Sequence, residues 1–182
     1  MIKTILLGDM SVGKSSIALH ATRNVFFDGI PSTIGAATYQ IRIDDEITFN
    51  LWDTAGNEKY RCLTSIYFND AKIALLVFDI SKKDSFVALN QFYIMIKESV
   101  NTSFQIVLVG NKVDLVDNRE IQIEEAMSFA DSIKALYYIE VSAKTGYQIN
   151  TLFQRLASLC YVNLEPREKL SYNDITKNNS CC

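Results

Sequence analysis

A glycine-rich segment near the start of the chain has the residue types and spacing of a phosphate-binding loop. Gly8 to Ser15 reads G-x-x-x-x-G-K-S, between a predicted strand and a predicted helix. In such a loop backbone N–H groups turn toward phosphate oxygens, the ammonium of Lys14 lies against the outer phosphates, and the Ser15 hydroxyl is a ligand for Mg²⁺. The segment therefore predicts a site for a nucleoside triphosphate and a magnesium ion.

A short acidic motif, Asp53-Thr54-Ala55-Gly56, follows the third predicted strand. Ligands of open α/β sheets bind beyond the carboxyl ends of the strands. We therefore expect Asp53 to hold Mg²⁺ through water and the Gly56 N–H to contact the terminal phosphate. Taken alone, the same four residues are at least as consistent with an ordinary turn.

Two further polar motifs, Asn111-Lys112-Val113-Asp114 and Ser142-Ala143-Lys144, also follow predicted strands. The Asp114 carboxylate can accept hydrogen bonds from N1–H and the 2-amino group of guanine, and backbone N–H groups of Ser142 and Ala143 can donate to O6. Adenine offers no matching pair of donors, and each buried group left unpaired costs about 1–3 kcal/mol. The Lys112 stem is expected along the nucleotide plane. Either motif alone is consistent with a polar loop, but together they predict a guanine site.

These motifs lie in a chain whose apolar runs alternate with helical periods, which predicts an α/β fold. Only Asp44-Asp45-Glu46 separates the second and third strands, a turn too short for a crossover, so those strands should form an antiparallel hairpin. We expect a six-stranded, mostly parallel sheet with one antiparallel edge strand and helices on both faces. The predicted strands cover 2–7, 37–43, 47–53, 72–79, 104–110 and 137–141, the helices 14–23, 60–70, 84–99, 122–133 and 148–163, and a long loop 24–36.

Composition narrows the function classes. The chain has 182 residues, of which 48% are hydrophobic, and a formal net charge of −3, so one compact domain is expected and nucleic acid binding is not. No apolar run is long enough for a membrane span, no leader is recognisable, and Ile2 excludes N-myristoylation, which predicts a cytoplasmic protein. The single histidine, His20, is expected at the surface or hydrogen-bonded in the core.

The motifs, together with Thr33, resemble the guanine-nucleotide motifs of the Ras-like small GTPases over residues 1 to about 163. The segments 32–37, 59–64, 67–68 and 76–81 resemble the Rab branch, and Ile34-Gly35-Ala36-Ala37 is similar to its endosomal members. The resemblance implies a P-loop small G-protein domain over 1–164 that binds Mg²⁺ with GTP or GDP, hydrolyses GTP slowly and acts as a switch in vesicle trafficking.

The resemblance also implies residue roles. Thr33 would coordinate Mg²⁺ and contact the γ-phosphate, ordering 28–37 in the GTP state; residues 54–69 would form the second switch, and Phe26 would pack edgewise on guanine. Lys14, Thr33, Gly56 and Asn57 are the expected catalytic residues, and Ser15, Thr33 and Asp53 the expected metal site. The expected nucleotide-binding set is Ser11, Val12, Gly13, Lys14, Ser15, Ser16, Phe26, Pro31, Thr33, Gly56, Asn111, Lys112, Asp114, Ser142, Ala143 and Lys144.

Three positions depart from the family pattern. Asn57 replaces the glutamine that orients the attacking water, and Met10 replaces a small residue beside the γ-phosphate. Both changes predict slow hydrolysis, since misplacement by about 1 Å can cost about a hundredfold. An effector-binding module with negligible hydrolysis is the alternative, and an ATPase is the alternative for the phosphate loop alone. Effectors of the family bind a triad of aromatic residues. Trp52 and Tyr67 match two of its positions, but Thr38 stands where the third, a phenylalanine, is expected.

The chain ends in a polar segment, 165–182, predicted to be a flexible tail. Its last residues, Cys181 and Cys182, resemble a Rab double prenylation signal, which would give the two anchors that stable membrane attachment requires. Unmodified terminal cysteines are the alternative. The resemblance implies a monomer on the cytosolic face of endosomal or other vesicle membranes. Its expected partners are an exchange factor, a GTPase-activating protein, effectors, an escort protein and a dissociation inhibitor.

Overall fold

The computed structural model of the protein describes residues 1–56, 65–99 and 105–164. Its strands are β1 (Ile2–Leu7), β2 (Ala36–Arg42), β3 (Thr48–Thr54), β4 (Ile73–Asp79), β5 (Gln105–Asn111) and β6 (Tyr138–Glu140). Its α-helices are α1 (Lys14–Arg23), α2 (Lys83–Val87), α3 (Leu89–Glu98), α4 (Ile123–Ser132) and α5 (Ile149–Leu164). Short 3-10 helices cover Ser65–Phe68 and Val113–Asn118.

The six strands of the described ranges form one sheet in the order β2-β3-β1-β4-β5-β6. All neighbouring pairs are parallel except β2 and β3, which are antiparallel and place β2 at the edge. The β2–β3 turn is closed by Asp44, whose Oδ1 accepts the N–H groups of Glu46 at 2.8 Å and Ile47 at 2.7 Å. The expected mixed sheet with one antiparallel edge strand is confirmed.

Apolar side chains alternate between the two faces of the sheet. Along β1, Leu6 packs in a cluster with residues of α1 and α5, whereas Ile5 and Leu7 pack in a second cluster with residues of α2, α3 and α4. Every residue of β4 is buried. This continuous apolar run is what a parallel strand with helices over both faces requires. The carboxyl ends of the parallel strands are thereby held in fixed positions at one edge.

The observed elements differ from the predicted ones in a few places. The predicted helix 84–99 is two helices, because the N–H of Gln91 bonds the carbonyl of Ala88, three residues back, where an α-helix would use a carbonyl four residues back. Of the predicted helix 60–70, the 3-10 helix Ser65–Phe68 is described, while 57–64 and the predicted tail 165–182 lie outside the described residues. Residues 24–35, all described, contain no helix or strand, as expected for the long loop. No helix in the described ranges is long and apolar enough to cross a bilayer.

Close packing around Gly110 of β5 gives a test of the fold. A Cβ on Gly110 would lie 2.7 Å from Tyr138 Oη and 3.2 Å from both Ile80 Cγ2 and Phe78 Cζ. We expect Gly110→Ala to lower the free energy of unfolding by about 1–3 kcal/mol, because buried overpacking forces neighbours to move. Urea denaturation of Gly110→Ala, Tyr138→Phe and the double variant measures this. Tyr138→Phe removes the closest atom but also the hydrogen bond from Tyr138 Oη to Glu140, so it is compared by itself. Gly110→Ala should cost less in the Tyr138→Phe background than in wild type. A Gly110→Ala variant as stable as wild type, or an equal cost in both backgrounds, contradicts the packing.

Candidate functional site

Loops from four strand ends surround one cavity of about 410 Å³ at the carboxyl edge of the sheet. Lys14 of the glycine-rich loop and Asp114, which follows β5, both line it. The residues expected from sequence that line this cavity are Ser11, Gly13, Lys14, Ser15, Ser16, Phe26, Pro31, Thr33, Gly56, Asn111, Lys112, Asp114, Ala143 and Lys144. Of the others, Val12 and Asp53 are buried beside it and Ser142 behind it, while Asn57, Cys181 and Cys182 lie outside the described residues.

The amino end of α1 opens into this cavity. Gly13 occupies the N-cap position with a φ of 95°, a left-handed conformation that glycine adopts without strain. Within α1, which is described throughout, no side chain caps the amino end and no acidic residue lies in the first turn. The first N–H groups of a helix lack intrahelical acceptors and carry the positive end of its dipole. This end of α1 is therefore suited to an anion.

The Lys14 side chain is held under the glycine-rich loop. Its Nζ donates hydrogen bonds to the carbonyl oxygens of Gly8 at 2.8 Å and Asp9 at 2.7 Å, and the residue is 6% exposed. A Cβ on Gly56 would lie 2.5 Å from both Lys14 Nζ and the Asp9 carbonyl oxygen. The absence of a side chain at Gly56 thus lets the end of the β3 segment approach the ammonium.

Three oxygen-bearing side chains from separate segments meet beside Lys14. The Ser15 hydroxyl donates to Asp53 Oδ2 at 2.7 Å, the Thr33 hydroxyl reaches the same oxygen at 3.1 Å, and the two hydroxyl oxygens are 3.1 Å apart. Asp53 Oδ1 is buried and has no hydrogen-bond partner among the residues that the structure describes. Burial raises the pKa of Asp53 above its ordinary value, although the Ser15 hydroxyl and the Lys14 ammonium oppose this. Hard oxygen ligands around a buried, partly unsatisfied carboxylate fit Mg²⁺.

The side chain of Asn111 connects three loops. Its Nδ2 donates to the carbonyl oxygen of Val12 at 2.8 Å, and its Oδ1 accepts the N–H of Ala143 at 3.1 Å. The residue is 1% exposed. A Cβ on Gly13 would lie 2.3 Å from Asn111 Nδ2, so the glycine allows this contact. The amide therefore fixes the glycine-rich loop relative to the loop after β6.

Asp114 is oriented by Ser142. The Ser142 hydroxyl donates to Asp114 Oδ1 at 2.5 Å and accepts the N–H of Thr145 at 3.1 Å. The Ser142 N–H, expected to donate to a base, instead donates to the carbonyl oxygen of Tyr147 at 3.0 Å. In this structure the Ser142 N–H closes the 142–147 turn, and the Ser142 hydroxyl is the group that contacts Asp114. The Ala143 N–H already donates to Asn111 Oδ1. The next backbone N–H along the loop is that of Lys144.

Asp79 is a site residue that the sequence reasoning missed. Lys112 has a φ of 69° and its Nζ lies 2.6 Å from Asp79 Oδ2. Burial alone would raise the pKa of the Asp79 carboxyl, but hydrogen bonds from Lys112 and Ser81 outweigh it and hold that pKa below its ordinary value. The position of Asp79 at the end of the predicted strand 72–79 was the available signal, because the other site residues also follow strand ends; its pairing with Lys112 is visible only in the structure.

An aromatic pair lies on the neighbouring outer surface. The rings of Trp52 and Tyr67 are 5.6 Å apart, and Thr38 is directly opposite Trp52 in the β2–β3 ladder. Lys3 Nζ lies 4.2 Å from the centroid of the Trp52 ring. Trp52 and Tyr67 are half-buried and Thr38 is exposed. The predicted triad positions thus form one patch with a hydroxyl where an aromatic ring was expected.

Comparisons with known proteins agree with this geometry. The family model described as "Ras family" matches residues 3–161. The chain is 41% identical to the human "Ras-related protein Rab-17" over 161 residues, which are 86% of this chain and 75% of that protein. It is 36% identical to "Ras-related protein RHN1" of Nicotiana plumbaginifolia over 158 residues, 85% of this chain and 78% of the relative. The mouse Rab-17 is 40% identical over 163 residues, 85% and 73% of the two chains. The chain therefore belongs to the Ras family and is a Rab-like small GTPase, an enzyme that hydrolyses GTP and acts as a guanine-nucleotide-dependent switch.

Proposed function

We propose that the cavity at the carboxyl edge of the sheet binds GTP or GDP with Mg²⁺ and that the chain switches a vesicle-trafficking step. The observation that carries this proposal is the Asn111 bridge, which holds the glycine-rich loop and the loop after β6 around one cavity. A phosphate chain at the amino end of α1 and a base beside Asp114 are then compatible with a single bound nucleotide. The names of the curated relatives, Ras-related protein Rab-17 among them, agree with this assignment.

The base is assigned to the loops that follow β5 and β6. Asp114, with its carboxylate oriented by the Ser142 hydroxyl, accepts from N1–H and the 2-amino group of guanine. The Lys144 N–H and the Ala143 N–H, which also donates to Asn111 Oδ1, are the proposed donors for O6. Lys112, fixed by Asp79, places its aliphatic stem along one side of the base, and Phe26 packs at its edge. This arrangement rejects adenine because its 6-amino group would face donors.

The phosphates are assigned to α1, Lys14 and Gly56. The N–H groups of Gly13 to Ser16 with the Lys14 ammonium bind the phosphate chain, and the Gly56 N–H binds the terminal phosphate. Ser15 and Thr33 are the proposed direct metal ligands, with Asp53 acting through water. Held by these residues, a bound Mg²⁺ would supply positive charge that offsets the negative charge of the phosphate chain.

Hydrolysis is an in-line attack by water on the γ-phosphorus. The bond from the γ-phosphorus to the β–γ bridging oxygen breaks, and GDP and inorganic phosphate form. Lys14 stabilises the negative charge that develops on the bridging and terminal oxygens. Asn57 is the residue proposed to orient the attacking water. Thr33, hydrogen-bonded to Asp53, links the 28–37 segment to the γ-phosphate, so loss of that phosphate would release the segment.

Exchanging the Asp114 carboxylate for an amide tests the guanine assignment. Asp114→Asn converts acceptors for N1–H and the 2-amino group into a donor and an acceptor. We expect it to weaken GDP binding by about a hundredfold or more and to favour xanthosine diphosphate, which carries an oxygen in place of the 2-amino group. Displacement of a fluorescent GDP by GDP, ADP and xanthosine diphosphate measures this for both proteins. Displacement of GDP from the wild type by equal concentrations of ADP would refute guanine specificity.

We further propose that intrinsic hydrolysis is slow. Met10 lines the cavity and is 49% exposed. It belongs to the glycine-rich loop, so its bulk is proposed to hinder groups that approach the terminal phosphate. Asn57 is one methylene shorter than the family glutamine, so it reaches the attacking water less well. An activating protein that supplies an arginine and a glutamine in trans would bypass both residues. The GTP state is therefore long-lived until such a protein arrives.

Restoring the two family residues tests the slow rate. The double variant Asn57→Gln with Met10→Ser should hydrolyse GTP about tenfold to a hundredfold faster than wild type in single-turnover assays without an activating protein. Each single variant separates the water-positioning effect from the steric one. GDP affinity, measured in parallel, is expected to stay constant and serves as the control. Equal single-turnover rates for the wild type and double variant would contradict the proposal.

We propose that residues 165–182 form a tail that anchors the nucleotide-binding domain, 1–164, to the cytosolic face of a vesicle membrane. Cys181 and Cys182 are the geranylgeranyl acceptors, and two chains supply the stable attachment that one does not. The proposed partners are an exchange factor, an activating protein, an escort protein, a dissociation inhibitor that covers the lipids, and effectors that read 28–39 and 56–70.

The anchor is tested by the mass of the intact protein from a eukaryotic host. Two added geranylgeranyl groups are expected on the wild type, one on Cys181→Ser and one on Cys182→Ser, with membrane sedimentation reduced in both variants. The double Ser variant, which cannot be modified, is the soluble control. Unmodified wild-type protein in such a host would exclude this form of attachment.

A further inference from the structure

The chain's single histidine contacts the base-side loop directly. His20 lies on α1, half-buried, and its Nδ1 is 3.0 Å from the carbonyl oxygen of Ala143. A carbonyl oxygen can only accept, so the ring nitrogen carries the hydrogen and donates. This contact joins residues 123 positions apart in the sequence.

The same ring packs on Gly146. A Cβ at that position would lie 2.5 Å from His20 Nε2 and 2.9 Å from Cε1. Gly146 also donates its N–H to the carbonyl oxygen of Ser142 at 2.9 Å, which closes the turn that presents Ala143 and Lys144. His20 therefore holds this turn at two points, by a hydrogen bond at its start and by ring contact at its end.

Asn111 and His20 thus hold the same loop residue, Ala143, from two sides. Asn111 holds Ala143 through its N–H, and His20 holds the same residue through its carbonyl oxygen. His20 is on α1, the helix whose amino end carries Lys14 and Ser15. Movement of the 142–146 turn away from α1 must break the His20 contacts, so the helix that faces the phosphate region also restrains the turn assigned to the base.

We propose that His20 is a positioning residue that fixes the 142–146 turn against α1 and thereby slows release of the guanine base. The proposal rests on the proposed guanine site. His20 lies behind the loop and acts through Ala143 and Gly146. The contact affected is the one between the loop amides and O6 of the base, while Asp114 keeps its own support from Ser142.

Two substitutions separate the hydrogen bond from the bulk of the ring. His20→Asn keeps a nitrogen donor attached to Cγ, in the place of Nδ1, whereas His20→Leu removes the donor and retains apolar volume. Arg23→Ala, an exposed change on the same helix, is the control. We expect GDP dissociation, followed with a fluorescent GDP, to be roughly tenfold faster in His20→Leu and within about twofold of wild type in His20→Asn and Arg23→Ala.

Base analogues report which contact is lost. Inosine diphosphate keeps O6 and N1–H but lacks the 2-amino group. 2-Aminopurine riboside diphosphate lacks both O6 and N1–H, and the contact of N1–H with Asp114 does not depend on His20. The preference for GDP over the 2-aminopurine analogue should shrink in His20→Leu, while the preference for GDP over inosine diphosphate stays at the wild-type value. Equal loss of both preferences, or His20→Asn as defective as His20→Leu at similar melting temperatures, would overturn the positioning role.

Gly146→Ala tests the ring contact. In the wild-type background it adds both backbone strain at a φ of 81° and a clash with the ring. In His20→Asn only the strain remains, because Nε2 and Cε1 are absent, so Gly146→Ala should accelerate GDP release less there. Equal acceleration in both backgrounds would exclude the ring contact. Failure of the wild type to bind GDP would remove the proposed function and this inference together, whereas tight wild-type binding with unchanged release in His20→Leu would remove only the inference.

Discussion

The buried amide of Asn111 is the interaction on which the site depends. It donates to the loop that precedes α1 and accepts from the loop that follows β6, so that two segments far apart in sequence share one side chain. A buried amide that satisfies both its donor and its acceptor is costly to displace, because each partner would be left unpaired. This pair of bonds fixes the glycine-rich loop relative to the loop after β6, and both loops line the cavity.

Glycines make the close approaches around that amide possible. Gly13 admits the Asn111 side chain, Gly56 admits the Lys14 ammonium, and Gly146 admits the His20 ring; a Cβ at any of these would lie within 2.5 Å of its neighbour. The cavity is thus surrounded by contacts that tolerate no added atom. This close packing also buries the Asp53 carboxyl. Burial disfavours the charged carboxylate and raises the pKa of Asp53. An ion at the hydroxyl cluster would relieve that cost, which links nucleotide binding to stabilisation of the fold.

Most strands and helices could be predicted from the sequence, because the spacing of apolar residues within each segment indicates whether it forms a strand or a helix. β1 and α1 were predicted with the bounds that the structure gives, and the predicted ends of β2 to β6 differ from the observed ends by at most one residue. The short Asp44-Asp45-Glu46 turn fixed the antiparallel pair, since three residues cannot make a crossover. The break near Ala88 and the 3-10 helix at Val113–Asn118 were missed, because apolar periodicity does not distinguish a helix from two short ones of the same phase.

The sequence by itself determined the chemistry: which side chains can bind phosphate, a hard cation and guanine, and in what order they occur along the chain. It did so because those residue types follow strand ends, and parallel strands bring their carboxyl ends to one edge. Only the tertiary structure decided the supports of those residues. His20 on Ala143, Asp79 on Lys112 and the Ser142 hydroxyl on Asp114 are contacts across 123, 33 and 28 positions. Such pairings depend on the packing of α1 and the strand register, which no local pattern encodes.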